Sequence, residues 1–380
     1  MPNKLKLMTV VGTRPELIRL SEVIKKADIY FDHILAHTGQ NYDKNLNDIF
    51  YEDLGIRRPD FYLNVPADNL GRTLGNIISK SYELMREVNP EALLILGDTN
   101  SALCAIAAKR LKIPIFHMEA GNRCFDENLP EEINRRIVDH ISDVNLPYTE
   151  HARRYLISEG IRKEHIFVTG SPMKEIILAH KEQIERSDVL TRLNLKKGNY
   201  IVLSAHREEN IDREEQFYGL AEAINFMAKT FQMPVIYSVH PRSANMIKKR
   251  NVKFHSLVCE MQPFNFTDYS TLMKNSYCVV SDSGTLPEEA SIEKFPAVCI
   301  RTSTERPEAF DKGGIIMGGV IGKDIIRAVE LAVSMKKNDD IGLDVPDYEV
   351  ANVSGVVVKL IQSYVPIIND KVWRKTRRDS

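Results

Sequence analysis

The chain has 380 residues, 43% of them apolar and 27% charged, and a formal net charge of -1. That length suits two domains of ordinary size, and the near-neutral balance gives no global reason to expect a nucleic-acid or membrane partner. No apolar run reaches the roughly 18 residues of a membrane span, and the five cysteines, scattered and without CxxC spacing, read as reduced structural residues of a cytoplasmic protein with no metal site.

From the N-terminus, MPNKLKLMTVVG enters a strand-like run directly, without a signal-peptide cleavage pattern. Helix-like RPELIRLSEVIKKA follows, then the short β-branched runs HILAHTG and ALLILGD, helix-like NSALCAIAAKRL, and the runs IPIFHMEA, VNLPYT and IFVTG. A polar segment, Lys174–Lys197, reads as the interdomain connection. A second series then begins: YIVLSAH, helix-like FYGLAEAINFMAKTF, PVIYSVH, YCVVSD, PAVCI, IIMGG and helix-like KDIIRAVELAVSMKK. This alternation predicts an α/β protein with parallel sheets covered by helices. The final helix-like stretch, SGVVVKLIQSYVPII, either closes the second domain or packs back on the first. Doubly wound domains bind ligands beyond the carboxyl ends of their strands, so the residues that follow strands are the informative ones.

GTRPE follows the first run. Its glycine permits a tight turn, Pro15 suits a first helical turn, and Arg14 lies at a helix N-terminus suited to phosphate, with Arg19 near the same end. A helix start with a surface arginine is the plainer alternative. HTGQ ends the second expected strand at Gln40, GDT places Asp98 at the tip of the third, and HMEAGNR places Glu119 at the tip of the fourth. PEEINRR then opens a helix with Glu131 and Glu132. Each acid has a structural alternative, as an N-cap or as a partner for the helix dipole. Three of them at strand or helix ends in one half point to acid–base work.

In the second half, strands end at His206 with Arg207, and at His240 with Arg242. SDSGTLPEEAS leaves the run YCVV through small polar residues and opens a helix, a pattern suited to an anion at Ser283 and Gly284, with Glu289 one turn inside. The arginine loop RTSTERPEA follows the next strand. No GxxxxGK[ST] or GxGxxG fingerprint occurs, which argues against a P-loop or a dinucleotide fold of the usual type.

Taken in order, GTRPE, HTGQ, GDT, H-x-EAG-x-R, PEEINRR-x-x-DH, VTG, AHREEN, VHPR, SDSG-x-x-EE and TERPE resemble the non-hydrolysing UDP-N-acetylglucosamine 2-epimerase family, over Gly12 to about Glu308. The resemblance implies two facing Rossmann-like domains of glycosyltransferase-B type, at 1–172 and 173–355, with a C-terminal helix at 356–380 crossing back. It implies a homodimer, a UDP-N-acetyl amino sugar as substrate and no cofactor. It assigns Asp98, Glu119 and Glu131 to catalysis and His206 to contact with the nucleotide sugar. Arg14, Arg19, Ser283 and Gly284 fall to the diphosphate, Glu289 to the ribose, and Phe264 and Tyr269 to the uracil. Gln40, Arg135, His240 and Arg306 complete the substrate-binding set.

Two departures separate this chain from the typical member. EAGNRCFDENLPEE is two residues shorter than the family's stretch, and Asn69 replaces its usual glutamine in DNLGRTLGNI. Both resemble the branch that 2-epimerises UDP-2-acetamido-2,6-dideoxy-L-talose to UDP-N-acetyl-L-fucosamine for capsule or O-antigen, and both are expected to bear on specificity. UDP-N-acetylglucosamine and UDP-N-acetylmannosamine are the alternative pair. A UDP-sugar glycosyltransferase, a hydrolysing epimerase and a non-catalytic sensor are the more distant readings.

Overall fold

The computed structural model describes residues 4–39, 50–207, 211 and 214–375. They form two compact units, one of Met1–Ala179 with Glu349–Ser380, the other of His180–Tyr348. Gln40 lies outside the described residues.

The first unit runs β1 (Lys6–Val11), α1 (Arg14–Tyr30), β2 (Asp32–His37), β3 (Phe61–Tyr62), α2 (Leu70–Val88), β4 (Ala92–Leu96), α3 (Cys104–Arg110), β5 (Ile115–Met118), α4 (Pro130–Ile141), β6 (Val144–Leu146), α5 (Glu150–Ser158) and α6 (Met173–Ala179). Its sheet is parallel, in the order β3-β2-β1-β4-β5-β6. That is the doubly wound order, and it reverses between β1 and β4. β4 is ALLIL with all five residues buried, the near-continuous apolar run that a strand covered on both faces requires. Met8, Val10, Leu93, Ile95 and Ile115 meet Ile77, Leu84, Ala105 and Val138 in the core beneath the helices. The C-terminal helix (Val353–Lys371) packs on α1 and is tied to α6 by Ser354, whose amide and hydroxyl both donate to Glu175.

The second unit runs α7 (Lys181–Arg186), α8 (Val189–Arg192), β7 (Ile201–Ser204), α9 (Glu214–Phe231), β8 (Val235–Ser238), α10 (Pro241–Lys249), β9 (Val258–Met261), α11 (Phe266–Asn275), β10 (Cys278–Ser281), α12 (Leu286–Glu293), β11 (Ala297–Cys299), α13 (Pro307–Asp311), β12 (Ile316–Met317) and α14 (Gly322–Lys337). Its parallel order, β12-β11-β10-β7-β8-β9, repeats the doubly wound pattern with the reversal between β7 and β10. Ile201, Leu203, Val235, Val280 and Val298 pack with Leu220, Ile224, Val329 and Val333.

Three features differ from the sequence expectation, and Asn69 has a structural role besides the one expected of it. The unit boundaries fall at Ala179/His180 and Tyr348/Glu349 instead of 172/173 and 355/356, because α6 packs on α1 before the chain leaves the first unit. IFVTG contributes only an isolated bridge, Asn145 to Ile166. The edge strands β3 and β9 carry no clear apolar signal, since most of their residues are only half-buried. Asn69, expected to bear on specificity, is the exposed N-cap of α2, accepting the Arg72 amide at 2.9 Å. Among the described residues no helix is long and apolar enough to cross a membrane.

Candidate active site

In the first unit the reversal point sets the geometry. Gly12 follows β1, and there an added Cβ would lie 2.5 Å from Thr38 Oγ1 and 2.8 Å from Ser101 Cβ, so only glycine lets the turn close against β4's outgoing loop. Arg14 is the first residue of α1, with Pro15 next to it, and its guanidinium stands 5.4 Å from the Phe50 ring centroid. Glu16 folds back under this turn. It accepts the Gly12 amide at 2.9 Å, the Thr13 hydroxyl at 2.8 Å and the Thr99 hydroxyl at 3.2 Å, and it also accepts from Ser101. Burial pushes its carboxyl above the usual range, against those hydrogen bonds. Glu16, at the third helical position, thus holds the turn through the Gly12 amide and the Thr13 hydroxyl, while the Thr13 side chain makes no cap bond to the helix amides.

The next strand tips carry the acids. Gly97 and Asp98 follow directly on β4, and Glu119 follows directly on β5, its neighbour. The Asp98 carboxylate pairs with Arg135, and its carbonyl accepts from Asn134 Nδ2 at 3.0 Å. Glu119 adopts a left-handed φ of 62°, a conformation that costs a residue with a Cβ about 1–2 kcal/mol. Its carboxylate pairs with Arg19 and accepts from Asn122 Nδ2 at 3.3 Å. Both members of the Arg19–Glu119 pair are buried.

Glu131 and Glu132 both open α4, but the fold treats them differently. Glu131 is half-buried, whereas Glu132 is fully buried. Glu132 accepts Arg135 Nη1 at 3.1 Å, Arg136 Nε at 3.2 Å and the Cys124 amide at 3.2 Å. Arg135 therefore bridges Asp98 and Glu132 from a buried position. The Glu132 pairs with Arg135 and Arg136 are i,i+3 and i,i+4 contacts within α4, whereas Arg135 with Asp98 and Arg19 with Glu119 join different elements, and the local sequence gives no sign of those.

In the second unit, Asp282 anchors the reversal point. Fully buried just after β10, it accepts the amides of His206 and Arg207, each at 2.9 Å, and lies 3.1 Å from His206 Nδ1. The His206 ring stands 6.0 Å, centroid to centroid, from His240, which caps α10. Arg207 reaches Glu305 at 3.4 Å, and Arg301 meets the same oxygen at 3.4 Å.

The SDSG turn differs in one respect from expectation. The Ser283 amide donates to Ser281 Oγ at 3.0 Å, so it is engaged within the turn. At Gly284 an added Cβ would sit 3.3 Å from Arg207 Nη2, which places that arginine against the turn. Glu289 accepts the Thr285 hydroxyl at 3.1 Å. Tyr269 is half-buried, and its phenol is pushed up by burial and then by nearby Glu289. Phe264 is half-buried in the segment leading into α11. Arg306 is buried and pairs with fully buried Glu288 at 2.8 Å, a structural contact that the sequence reading did not expect.

Among the described residues, no group of three His, Cys, Asp or Glu side chains is arranged to hold a metal ion. Residues 24–362 match the family model described as UDP-N-acetylglucosamine 2-epimerase. The chain is similar to the UDP-N-acetylglucosamine 2-epimerase of Rickettsia bellii, at 44% identity and a TM-score of 0.90, over 98% of this chain and all of that one. It is similar to the Methanocaldococcus jannaschii UDP-GlcNAc 2-epimerase solved in complex with UDP-GlcNAc and UDP, at 32% identity and a TM-score of 0.89, over 94% of this chain and all of that one. It is also 31% identical to the UDP-2,3-diacetamido-2,3-dideoxy-D-glucuronate 2-epimerase of Pseudomonas aeruginosa, over 88% of this chain and 94% of that protein. With two doubly wound units, acids on adjacent strand tips and a family match over most of its length, the chain belongs to the UDP-N-acetylglucosamine 2-epimerase family and is an isomerase of the sugar-epimerase class.

Proposed function

We propose that the enzyme inverts C2 of a UDP-linked N-acetyl amino sugar by eliminating UDP and adding it back. The C2 proton has no adjacent carbonyl to stabilise a carbanion, so simple deprotonation is slow. Removing that proton while the C1–O bond to UDP breaks forms a glycal, and the electron pair departs on the diphosphate. Re-addition forms the C1–O bond again and delivers a proton to the opposite face of C2, with no net loss of UDP.

The observation that carries this reading is the pair of acids, Asp98 and Glu119, on adjacent strand tips, each paired with an arginine. With Glu131 they are the groups assigned to proton removal and return. Arg14, His206 and the Ser283–Gly284 turn are assigned to charge developing on the leaving diphosphate, each worth about 3 kcal/mol by analogy with oxyanion-hole donors. Gln40, Arg19, Arg135, His240, Phe264, Tyr269, Glu289 and Arg306 are assigned to substrate and to holding these groups. The enzyme is taken to work as a homodimer in the cytoplasm.

The substrate we favour is UDP-2-acetamido-2,6-dideoxy-L-talose, converted to UDP-N-acetyl-L-fucosamine for capsule or O-antigen. Support comes from the shortened loop between Glu119 and Glu131. Arg123 ties its base to Glu159 at 2.6 Å, and the Asn128 amide turns back on Asp126 at 3.0 Å. At its tip Phe125 is 63% exposed in a left-handed conformation, φ 57°, edge-on to Tyr155 at 5.4 Å. An exposed, strained aromatic suits a substrate that carries a methyl group where other sugars carry a hydroxymethyl. The names of the Rickettsia and Methanocaldococcus relatives favour the second reading, UDP-N-acetylglucosamine. Parallel assays on both sugars decide between them. The 6-deoxy substrate should give the higher kcat/KM, and Phe125→Ala should lower that ratio towards the 6-hydroxy sugar. A higher kcat/KM on UDP-N-acetylglucosamine would establish the second reading.

A further inference from the structure

His117 and Asp139 are buried beneath the strand tips, and nothing in the chemistry above uses them. His117 lies in β5, with Nε2 2.7 Å from the Gly97 carbonyl and Nδ1 2.9 Å from Asp139 Oδ1. The Gly97 carbonyl can only accept, so Nε2 carries a proton and donates to it, while Nδ1 faces Asp139 at ion-pair distance. Asp139, in α4, also accepts the Gly121 amide at 3.1 Å and forms an ion pair with Arg123 Nη1 at 2.7 Å. Arg123 in turn forks onto Glu159, at 2.8 and 2.6 Å.

The positions of these contacts give them meaning. Gly97 immediately precedes Asp98, and its amide is also fixed, donating to the Met118 carbonyl at 2.9 Å. Gly121 lies two residues after Glu119 and has no room for a side chain, because an added Cβ would sit 2.5 Å from the Ala152 carbonyl oxygen. One carboxylate on α4 thus sets the backbone on both sides of the acid pair. It reaches the Asp98 tip through His117 and the Glu119 tip through the Gly121 amide. Burial alone would push the Asp139 carboxyl up, but His117 and Arg123 hold it below the usual range.

We propose that His117 and Asp139 are positioning residues for the epimerisation, holding Asp98 and Glu119 in register by hydrogen bonds to the backbone beside each. This rests on the function proposed above. Misplacing a reacting group by about 1 Å costs about 100-fold in rate, and outer-shell partners of reacting groups act on that scale.

The test compares two substitutions that each keep half of the His117 contacts. His117→Gln retains a donor where Nε2 meets the Gly97 carbonyl, and His117→Asn places one where Nδ1 meets Asp139. Each is assayed for kcat and KM on UDP-sugar, for UDP affinity by calorimetry and for Tm. Positioning predicts that the Asn variant loses about 100-fold in kcat and that the Gln variant keeps most of it. UDP affinity should stay unchanged in both. Equal kcat in the two variants, whether wild-type or reduced in step with Tm, would overturn the proposal. If both variants are insoluble, Glu159→Gln, at the more exposed end of the network, carries the test. A several-fold fall in kcat with UDP affinity and Tm held supports positioning, and wild-type kcat overturns it. A wild-type enzyme that binds UDP but epimerises neither sugar refutes the assigned reaction, and the positioning role falls with it.

Discussion

Arg19 and Glu119, 100 residues apart in sequence, form a buried ion pair between α1 and the tip of β5. Glu119 is therefore an acid with a fixed counter-charge, in a left-handed backbone conformation that favours glycine. Removing one partner of a buried pair strands the other charge, at a cost of about 3–5 kcal/mol. Glu119→Gln is expected to lower kcat by about 1,000-fold and also to lower Tm. Arg19→Lys should retain more stability than Arg19→Ala. Thermal unfolding alongside turnover checks both, and a Glu119→Gln enzyme with near-normal turnover would remove Glu119 from the chemistry.

Asp98 differs from Glu119 in being partly accessible, with its side chain 18% exposed while paired to Arg135. Asp98→Asn is expected to abolish turnover and keep UDP binding. Arg14→Ala should weaken both, by about 10-fold or more, since a charge-assisted hydrogen bond to the diphosphate contributes about 1.5–3 kcal/mol. Calorimetric titration with UDP, set beside turnover, separates the two phenotypes.

The neighbours Glu131 and Glu132 should give opposite results. Glu132 is fully buried against Arg135, Arg136 and the Cys124 amide, so Glu132→Gln is expected to destabilise by about 3 kcal/mol. Glu131→Gln should leave Tm close to wild type and lower kcat by at least about 100-fold. If Glu132→Gln proves stable and inactive while Glu131→Gln is active, the two assignments must be exchanged.

His37, at the end of β2, gives the fold an acid-sensitive point. Its buried ring accepts the Gly39 amide at 2.9 Å, and burial holds its pKa down at about 4, from an ordinary 6.5. A histidine depressed in the folded state stabilises above its unfolded pKa, and that contribution disappears as pH falls. The loss should run from about pH 6.5 to pH 4 and total about 3 kcal/mol. His37→Asn keeps an acceptor for Gly39 and removes the titration. Urea unfolding across this range should show a flatter profile for the variant. Asp28 and Asp139, both depressed, lose their contributions below about pH 4 in either protein.

The strand tips were legible in the sequence because strands buried on both faces read as apolar runs. KLMTVV, ALLIL and CVVS each end where a glycine or a small polar residue begins, and Asp98 and the SDSG turn follow directly. The doubly wound sheets followed from the alternation of such runs with amphipathic stretches. The pairings were not legible. Arg19 with Glu119, Arg135 with Asp98, His117 with Asp139 and His206 with Asp282 all depend on which strands and helices become neighbours. Local pattern does not encode that order. Asn69 and Arg306 show the converse, since residues expected to act on substrate also have structural partners, a helix amide and Glu288.

Proton NMR of the purified enzyme in D2O, with UDP-2-acetamido-2,6-dideoxy-L-talose as substrate, tests the central claim most directly. Elimination and re-addition predict deuterium at C2 of the inverted product, with no net release of UDP. Inversion without deuterium at C2, or UDP released in step with sugar consumed, would contradict it.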